Sequence, residues 1–311
     1  MPFNPPAYVA LINPQALRDR ADKAAAALTC CTLCPRRCKV DRTRDERGYC
    51  QTGLRAVVAS YGPHFGEEAP LVGTHGSGTI FFSHCNLLCN FCQNYAISHL
   101  GEGREVSDRQ LADMMIALQQ DGCHNINLVT PSHVIPQILA ALPLACDDGL
   151  RIPLVYNSSA YDTVAALHLL TDIVDIYMPD FKFWHRDIAE QTCHADDYPE
   201  VAKAALAEMH RQVGDLMIDA AGLAHRGLLV RHLVMPNGMA GTRPIMRYIA
   251  ANISPDTYVN IMGQYRPCGQ AHTIAALARA TSAAEYATAL KEAREEGITR
   301  LDERRPVFVI G

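Results

Sequence analysis

Thr79-Ile-Phe-Phe-Ser83 runs into Cys85-Asn-Leu-Leu-Cys89-Asn-Phe-Cys92, an apolar aromatic segment of strand character followed by three closely spaced cysteines. Loops that leave buried strands are where α/β proteins carry their active residues. Working outward, the Gly-punctuated Gly73-Thr-His-Gly-Ser-Gly78 leads into this strand. After it, apolar, β-branched or aromatic runs near 79–84, 125–130, 153–157, 173–178, 228–235 and 257–262 predict buried strands, each followed by a helical segment. Ser107 with Gln110, and Ser282 with Glu285, form capping-box pairs, and Gly122 and Gly297 stand where those two helices would stop. Helical periodicity also marks 133–147, where Pro136 is a warning, and 162–170, 199–213 and 243–252. The segment 183–198, with Trp184, His185 and Cys193, is expected to be an ordered loop.

Six strand–helix units in series predict a parallel sheet with right-handed crossovers, too few for a complete eight-stranded barrel. The expected fold is α/β: a partial (β/α)6 barrel over residues 73–311 behind a Cys-rich N-terminal extension over residues 1–72. With 311 residues, 49% hydrophobic and 20% charged, the chain can bury a large core, which excludes intrinsic disorder. Lys and Arg number 28 against 33 Asp and Glu, for a net charge of −5 that argues against a surface built for nucleic-acid phosphates. No stretch reaches the roughly 20 apolar residues of a membrane span. Residues Met1 to Leu17, with Pro2, Pro5, Pro6 and Pro14, lack the apolar core of a signal peptide. A soluble, cytoplasmic protein is expected, and in a reducing compartment its 12 cysteines read as metal ligands or reactive thiols.

The cysteines cluster. Cys30, Cys31, Cys34, Cys38 and Cys50 crowd the head, Cys85, Cys89 and Cys92 form the trio, and Cys123, Cys146, Cys193 and Cys268 are scattered. Three closely spaced thiolates suit three irons of a [4Fe–4S] cluster and leave the fourth iron open; a zinc knuckle completed by a remote Cys or His is the alternative. Cys123 precedes its strand and so lies at the opposite sheet end, while Cys146 and Cys193 have no evident reach. Cys268, following the sixth strand, is the candidate fourth ligand. In the head, Cys31-x2-Cys34-x3-Cys38-x11-Cys50 has the spacing of a closed four-thiolate site for structural zinc or a second [4Fe–4S] cluster. Arg36, Arg37, Lys39, Arg42 and Arg44 surround it, either favouring an anionic site or forming a solvated basic run.

The trio, with Phe91 as the aromatic of C-x3-C-x-aromatic-C, resembles the radical S-adenosylmethionine (SAM) signature. The wider chain resembles the PflX-type relatives of pyruvate formate-lyase activating enzyme, through Gly76-Ser-Gly-Thr-Ile-Phe-Phe82, Cys92-Gln-Asn-Tyr-Ala-Ile-Ser98 and Asn125-Ile-Asn-Leu-Val-Thr-Pro131. Val155-Tyr-Asn-Ser158, Asp175-Ile-Tyr-Met-Pro-Asp-Phe-Lys182, Arg231-His-Leu-Val-Met-Pro236 and Asn260-Ile-Met-Gly-Gln-Tyr265 extend it.

That resemblance implies an oxidoreductase with a [4Fe–4S] cluster on Cys85, Cys89 and Cys92, with SAM chelating the open iron at the C-terminal ends of the strands. Reductive cleavage of SAM then yields a 5′-deoxyadenosyl radical that abstracts hydrogen, for the PflX type from a glycine of a glycyl radical enzyme, with flavodoxin or ferredoxin as reductant. It implies SAM contacts at Thr130, at Asp180 and Lys182 and at Arg231 and His232, and packing of Phe91 on adenine, while the polar side chains of Asn157-Ser158-Ser159 suit the ribose or carboxylate and read equally as a helix start. The Gly-Gly-Glu motif expected near Thr130 is absent, so that role also reads as a polar turn before the next helix. Asp180 with Lys182 also reads as an internal salt bridge, and His232 as a satisfied core histidine. Modification of a peptide, small molecule or RNA, and a non-catalytic iron–sulfur or zinc electron-transfer or scaffold protein, are the alternatives.

Overall fold

The computed structural model describes residues 5–302. Its centre is one sheet built from β1 (Ala56–His64), β2 (Ser77–Phe82), β3 (Arg104–Val106), β4 (Ile126–Val129), β5 (Leu154–Ser158), β6 (Ile176–Pro179), β7 (Met217–Ile218), β8 (Ala224–Leu233) and β9 (Tyr258–Met262). The parallel run β2-β4-β5-β6-β8-β9 follows chain order and comprises the six expected strands. Among the described residues no strand pairing joins β9 back to β2, so the barrel is partial and open.

Both faces of the parallel run are covered, which is why these strands read as apolar rather than alternating. Val155, Ile176, Met178 and Leu229 point inward with Leu71, Leu216 and Ala224. Ile80, Ile126, Leu128, Tyr156, Tyr177, Leu228 and Val230 point outward into the larger cluster shared with the helices. At the end where the strands begin, the Ala69–Val72 helical turn puts Leu71 into the inner cluster, and the Asn125 amide donates to the Leu71 carbonyl at 2.8 Å. The mouth at the opposite end is left for the loops that follow the strands.

The capping boxes at Ser107 and Ser282 form as their residue types dictate. Pro136 stands in the first turn of Ile135–Asp147, where its missing N–H costs nothing. The segment expected as a loop at 183–198 instead contains the helix Arg186–Cys193, closed by His194 in the left-handed region at φ 49°. Its buried stripe consists only of Ala189, Thr192 and Cys193, too weakly apolar to show as helical periodicity.

β1 pairs antiparallel with β2 and β3, so the extension drawn to residue 72 contributes a strand to the barrel sheet. Pro63 is tolerated there because β3 meets only Ala56, Val57 and Val58, leaving that side of β1 without a partner strand at the proline. The outermost residues of both expected segments, 1–4 and 303–311, lie outside the described residues. No described helix is long and apolar enough to cross a membrane.

Candidate functional site

The trio occupies the loop leaving β2. His84 and Leu88 take left-handed φ of 68° and 54°, curling the loop so that the Leu87 N–H points at the Cys85 sulfur at 3.4 Å. Burial, reinforced by Cys89, pushes the Cys85 thiol up to about 12. Contact with Cys193, followed by burial, pushes the Cys89 thiol up. Burial and Cys89 raise Cys92, with the Ser98 hydroxyl working against them. Unliganded, all three are thiols at neutral pH, and a metal would release their protons on binding.

Cys193, which from sequence had no evident reach, lies against Cys89 because the Arg186–Cys193 helix delivers it there. The Asn90 N–H donates to the Thr192 carbonyl at 2.9 Å and locks that approach. The segment that carries Cys268 meets the trio loop through backbone, the Gln270 N–H donating to the Asn90 carbonyl at 2.7 Å.

Arg36, from the head, clamps this loop. Its guanidinium donates to the carbonyls of Asn86 at 3.0 Å, Leu87 at 3.2 Å, Cys193 at 2.7 Å and His194, and lies 3.8 Å over the Tyr49 ring. Arg36→Ala removes all four bonds. It is expected to lower iron retention by the trio several-fold while costing about 2 kcal/mol of stability, read by iron analysis and denaturant melts.

Beside the trio lies a buried charge cluster. Lys182 Nζ is 2.5 Å from Asp180 Oδ2, and Arg231 Nε is 2.7 Å from Asp180 Oδ1. The Arg231 Nη2 donates to Asn157 Oδ1 at 2.7 Å, and its Nη1 lies 4.0 Å from Glu67 and 3.9 Å from Glu68. Burial alone would raise the Asp180 carboxyl, but Arg231 and Lys182 outweigh it and hold it below the ordinary carboxylate range. Burial opposes the Lys182 charge, yet Asp180 and then Cys89 keep it firmly protonated. Phe91 of the trio loop packs on Phe183, next to Lys182, with ring centroids 5.9 Å apart, which places this cluster next to the trio.

Asn157, Asp180, Lys182 and Arg231 are thus brought together at the strand ends. Thr130 closes the same rim: at φ 61° it donates its N–H to the Asn157 carbonyl at 2.9 Å. Ser159 is half-buried, its carbonyl accepting from Tyr198 Oη at 3.0 Å. Phe91 is buried edge-on between Phe183 and Tyr265, with ring centroids 5.9 and 6.0 Å away.

His232 is not brought into this group. Strand alternation turns it to the outer face, where Nδ1 meets the Phe181 carbonyl at 2.8 Å and Nε2 meets Thr242 Oγ1 at 2.9 Å. Both ring nitrogens are engaged there, away from the SAM carboxylate role that the resemblance implies. Burial holds the ring neutral, lowering its pKa to about 4, with the Phe181 contact partly opposing. The unfolded histidine titrates near 6.5, so the unfolded chain binds the extra proton first. Stability is therefore full above that pH and falls as pH drops toward 4, by roughly 3 kcal/mol from this group. Denaturant melts of His232→Gln between pH 7 and 4 are expected to lose that part of the slope.

Sequence reasoning missed Glu67 and Glu68, which stand before a single helical turn with no periodicity to mark them. Glu68 accepts from Asn260 at 2.8 Å through one oxygen, while its other oxygen is buried without a partner. Asn127, fully buried on β4, lies near Glu67 but in no hydrogen-bond geometry, so both its amide atoms are unpartnered. Asn86 Oδ1 and Asn90 Oδ1, inside the trio loop, are also buried and unsatisfied. Unpaired buried polar atoms cost about 1–3 kcal/mol each unless a ligand or water meets them.

No protein-family model matches the chain. Over 273 residues it is 32% identical to the "Uncharacterized protein MJ0674" of Methanocaldococcus jannaschii, covering 85% of this chain and 73% of that protein. The chain belongs to the MJ0674 family. Among solved structures it is similar to HydG, a maturase of the [FeFe]-hydrogenase, with a TM-score of 0.49 and 14% identity over 70% of this chain. The likeness spans 48% of HydG, about half its length. Membership of the MJ0674 family assigns no reaction, so the chemistry rests on the residues at the strand ends.

Those residues suit an iron–sulfur cluster with a polar organic ligand. Three thiols, Cys89 buried and Cys85 and Cys92 half-buried, stand with a backbone N–H on one sulfur, a carboxylate–ammonium–guanidinium cluster adjoins them, and unpartnered amide oxygens flank the loop. Among the described residues no three His, Cys, Asp or Glu side chains gather closely enough to hold a single metal ion. A tetrahedral zinc needs its thiolates about 2.3 Å from one centre. A polynuclear cluster gives each thiolate its own iron and accepts a wider ring.

Proposed function

We propose that the chain is a radical SAM enzyme. Cys85, Cys89 and Cys92 would hold a [4Fe–4S] cluster, which when bound and reduced supplies the electron that splits SAM into methionine and a 5′-deoxyadenosyl radical. The observation that carries this reading is the convergence of the trio with Asp180 and Lys182, seen where Phe91, between Cys89 and Cys92, packs on Phe183, next to Lys182, with ring centroids 5.9 Å apart. Lys182 and Arg231 offer donors to a carboxylate, and Asp180 with the free oxygen of Glu68 offers acceptors to an ammonium or ribose hydroxyls. Phe91, Phe183 and Tyr265 form an apolar wall that excludes water from the trio's side of the mouth.

Anaerobically reconstituted protein with dithionite and SAM is expected to form 5′-deoxyadenosine, measured by mass spectrometry. Iron-loaded protein that forms none overturns the proposal. The hydrogen donor we infer is a glycine of a glycyl radical enzyme, with flavodoxin or ferredoxin as electron source. That finer reading is supported by the resemblance of Asp180-Phe-Lys182 and Arg231 to the activating enzymes. A glycine-centred doublet in the electron paramagnetic resonance spectrum of a co-purified partner tests it. A radical or product on a small molecule instead would reassign the substrate.

A further inference from the structure

Arg42 heads the fully buried side chains, at 1% exposure, although its neighbours in sequence suggest a solvated basic run. Its Nε and Nη2 donate to the Gly53 carbonyl at 3.0 and 2.9 Å, and its Nη1 donates to the His133 carbonyl at 2.9 Å. Among the described residues no carboxylate pairs with it; the remaining contact is Cys31 Sγ, 4.0 Å from Nη1. Carbonyl dipoles satisfy the donors but leave a net charge in the interior, an expensive arrangement without an anion.

The backbone shows where the anion would form. The Cys31 N–H donates to the Val40 carbonyl at 3.0 Å and the Lys39 N–H returns to the Cys31 carbonyl at 2.9 Å, hairpinning Cys31 beside Cys38. The Tyr49 N–H points at Cys38 Sγ at 3.2 Å, which places Cys50 on the same side. Gly48 is a cradle: a Cβ there would stand 2.7 Å from Cys38 Sγ. The Arg37 N–H donates to the Cys34 carbonyl at 3.0 Å, so Cys34 stands in the turn that Cys31 and Cys38 flank.

We infer that Cys31, Cys34, Cys38 and Cys50 hold a second iron–sulfur cluster, and that Arg42 is the buried counter-ion of its thiolates. A four-thiolate zinc site is the alternative, and the metal content of the purified chain decides between them. This inference is independent of SAM chemistry and stands whether or not the trio cleaves it.

The test uses the full chain purified anaerobically. Wild type is expected to carry about eight iron and eight sulfide per chain, and the combined Cys85→Ser, Cys89→Ser and Cys92→Ser variant to keep about four of each with a [4Fe–4S] Mössbauer signature. Four iron in wild type that the trio variant loses, a folded metal-free trio variant, or one zinc per chain in place of the retained iron overturns the inference. Within the trio variant, Arg42→Met is expected to release the retained iron to a chelator at least about tenfold faster, while Arg42→Lys, which keeps the charge, slows that release. Equal release from the Met and Lys variants overturns the counter-ion role.

Discussion

Cys89→Ala is expected to lower 5′-deoxyadenosine formation by a factor on the order of 10³ or more, with loss of the iron bound by the trio. The sulfur is buried and in contact with Cys193. The structural cost is small, about 1 kcal/mol for a shallow cavity, so the variant remains folded and the loss is chemical. Cys193→Ala is the informative companion. It removes the group that touches Cys89 and raises its thiol, yet leaves Cys85, Cys89 and Cys92 in place. Cleavage by this variant is expected to stay within about threefold of wild type, because an open iron requires three protein ligands and no more. Loss of trio iron in Cys193→Ala would make Cys193 a fourth ligand and remove the vacancy on which SAM binding depends. Full cleavage by Cys89→Ala would show that the trio is not the site.

How far the sequence could be read follows from what each signal depends on. The six parallel strands were legible because strands covered on both faces need runs such as Ile126-Asn-Leu-Val129 and Leu154-Val-Tyr-Asn-Ser158, which show without knowledge of their partners. Asn157, read from the sequence as a SAM contact, lies on the inward face with Arg231 hydrogen-bonded to it, and Asn127 of the neighbouring strand lies on that face too. β1 was not legible: its outer half is exposed without alternation, it carries Gly62-Pro63, and its pairing with β2 is set by the chain returning through residues 65–76. Pairing of residues remote in sequence was hidden for the same reason. Arg36 meeting Cys193, and Arg231 meeting Glu67 and Glu68, depend on the fold closing rather than on local pattern. His232 shows the converse limit, since a motif can place two residues side by side while strand alternation sends them to opposite faces.

Arg231→Met is expected to destabilise the protein by about 3–5 kcal/mol and lower its melting temperature by on the order of 10 °C, the largest stability effect of any single change at the strand ends. Arg231 is the shared partner of Asp180, Glu67 and Glu68, and it also holds Asn157. Methionine fills the volume but strands three buried carboxyls with Lys182 and His64 as the remaining cations or potential cations beside them. Arg231→Lys keeps the charge but loses the fork that reaches Asp180 and Asn157 together, so only part of the loss is recovered. A pH signature separates this mechanism from simple repacking. In wild type the Asp180 carboxyl is held below its unfolded value, so its contribution is complete above about pH 4 and disappears as pH falls through the folded pKa. Without Arg231, burial dominates and raises that carboxyl, and the variant is expected to gain stability relative to wild type as pH is lowered from 7 to 4. Melts of both proteins across that range, together with an Asp180→Asn and Arg231→Met double-mutant cycle, measure the coupling. A coupling energy below about 0.5 kcal/mol, or a pH-independent difference, would show that the cluster is hydrated and that Arg231 is not what balances it.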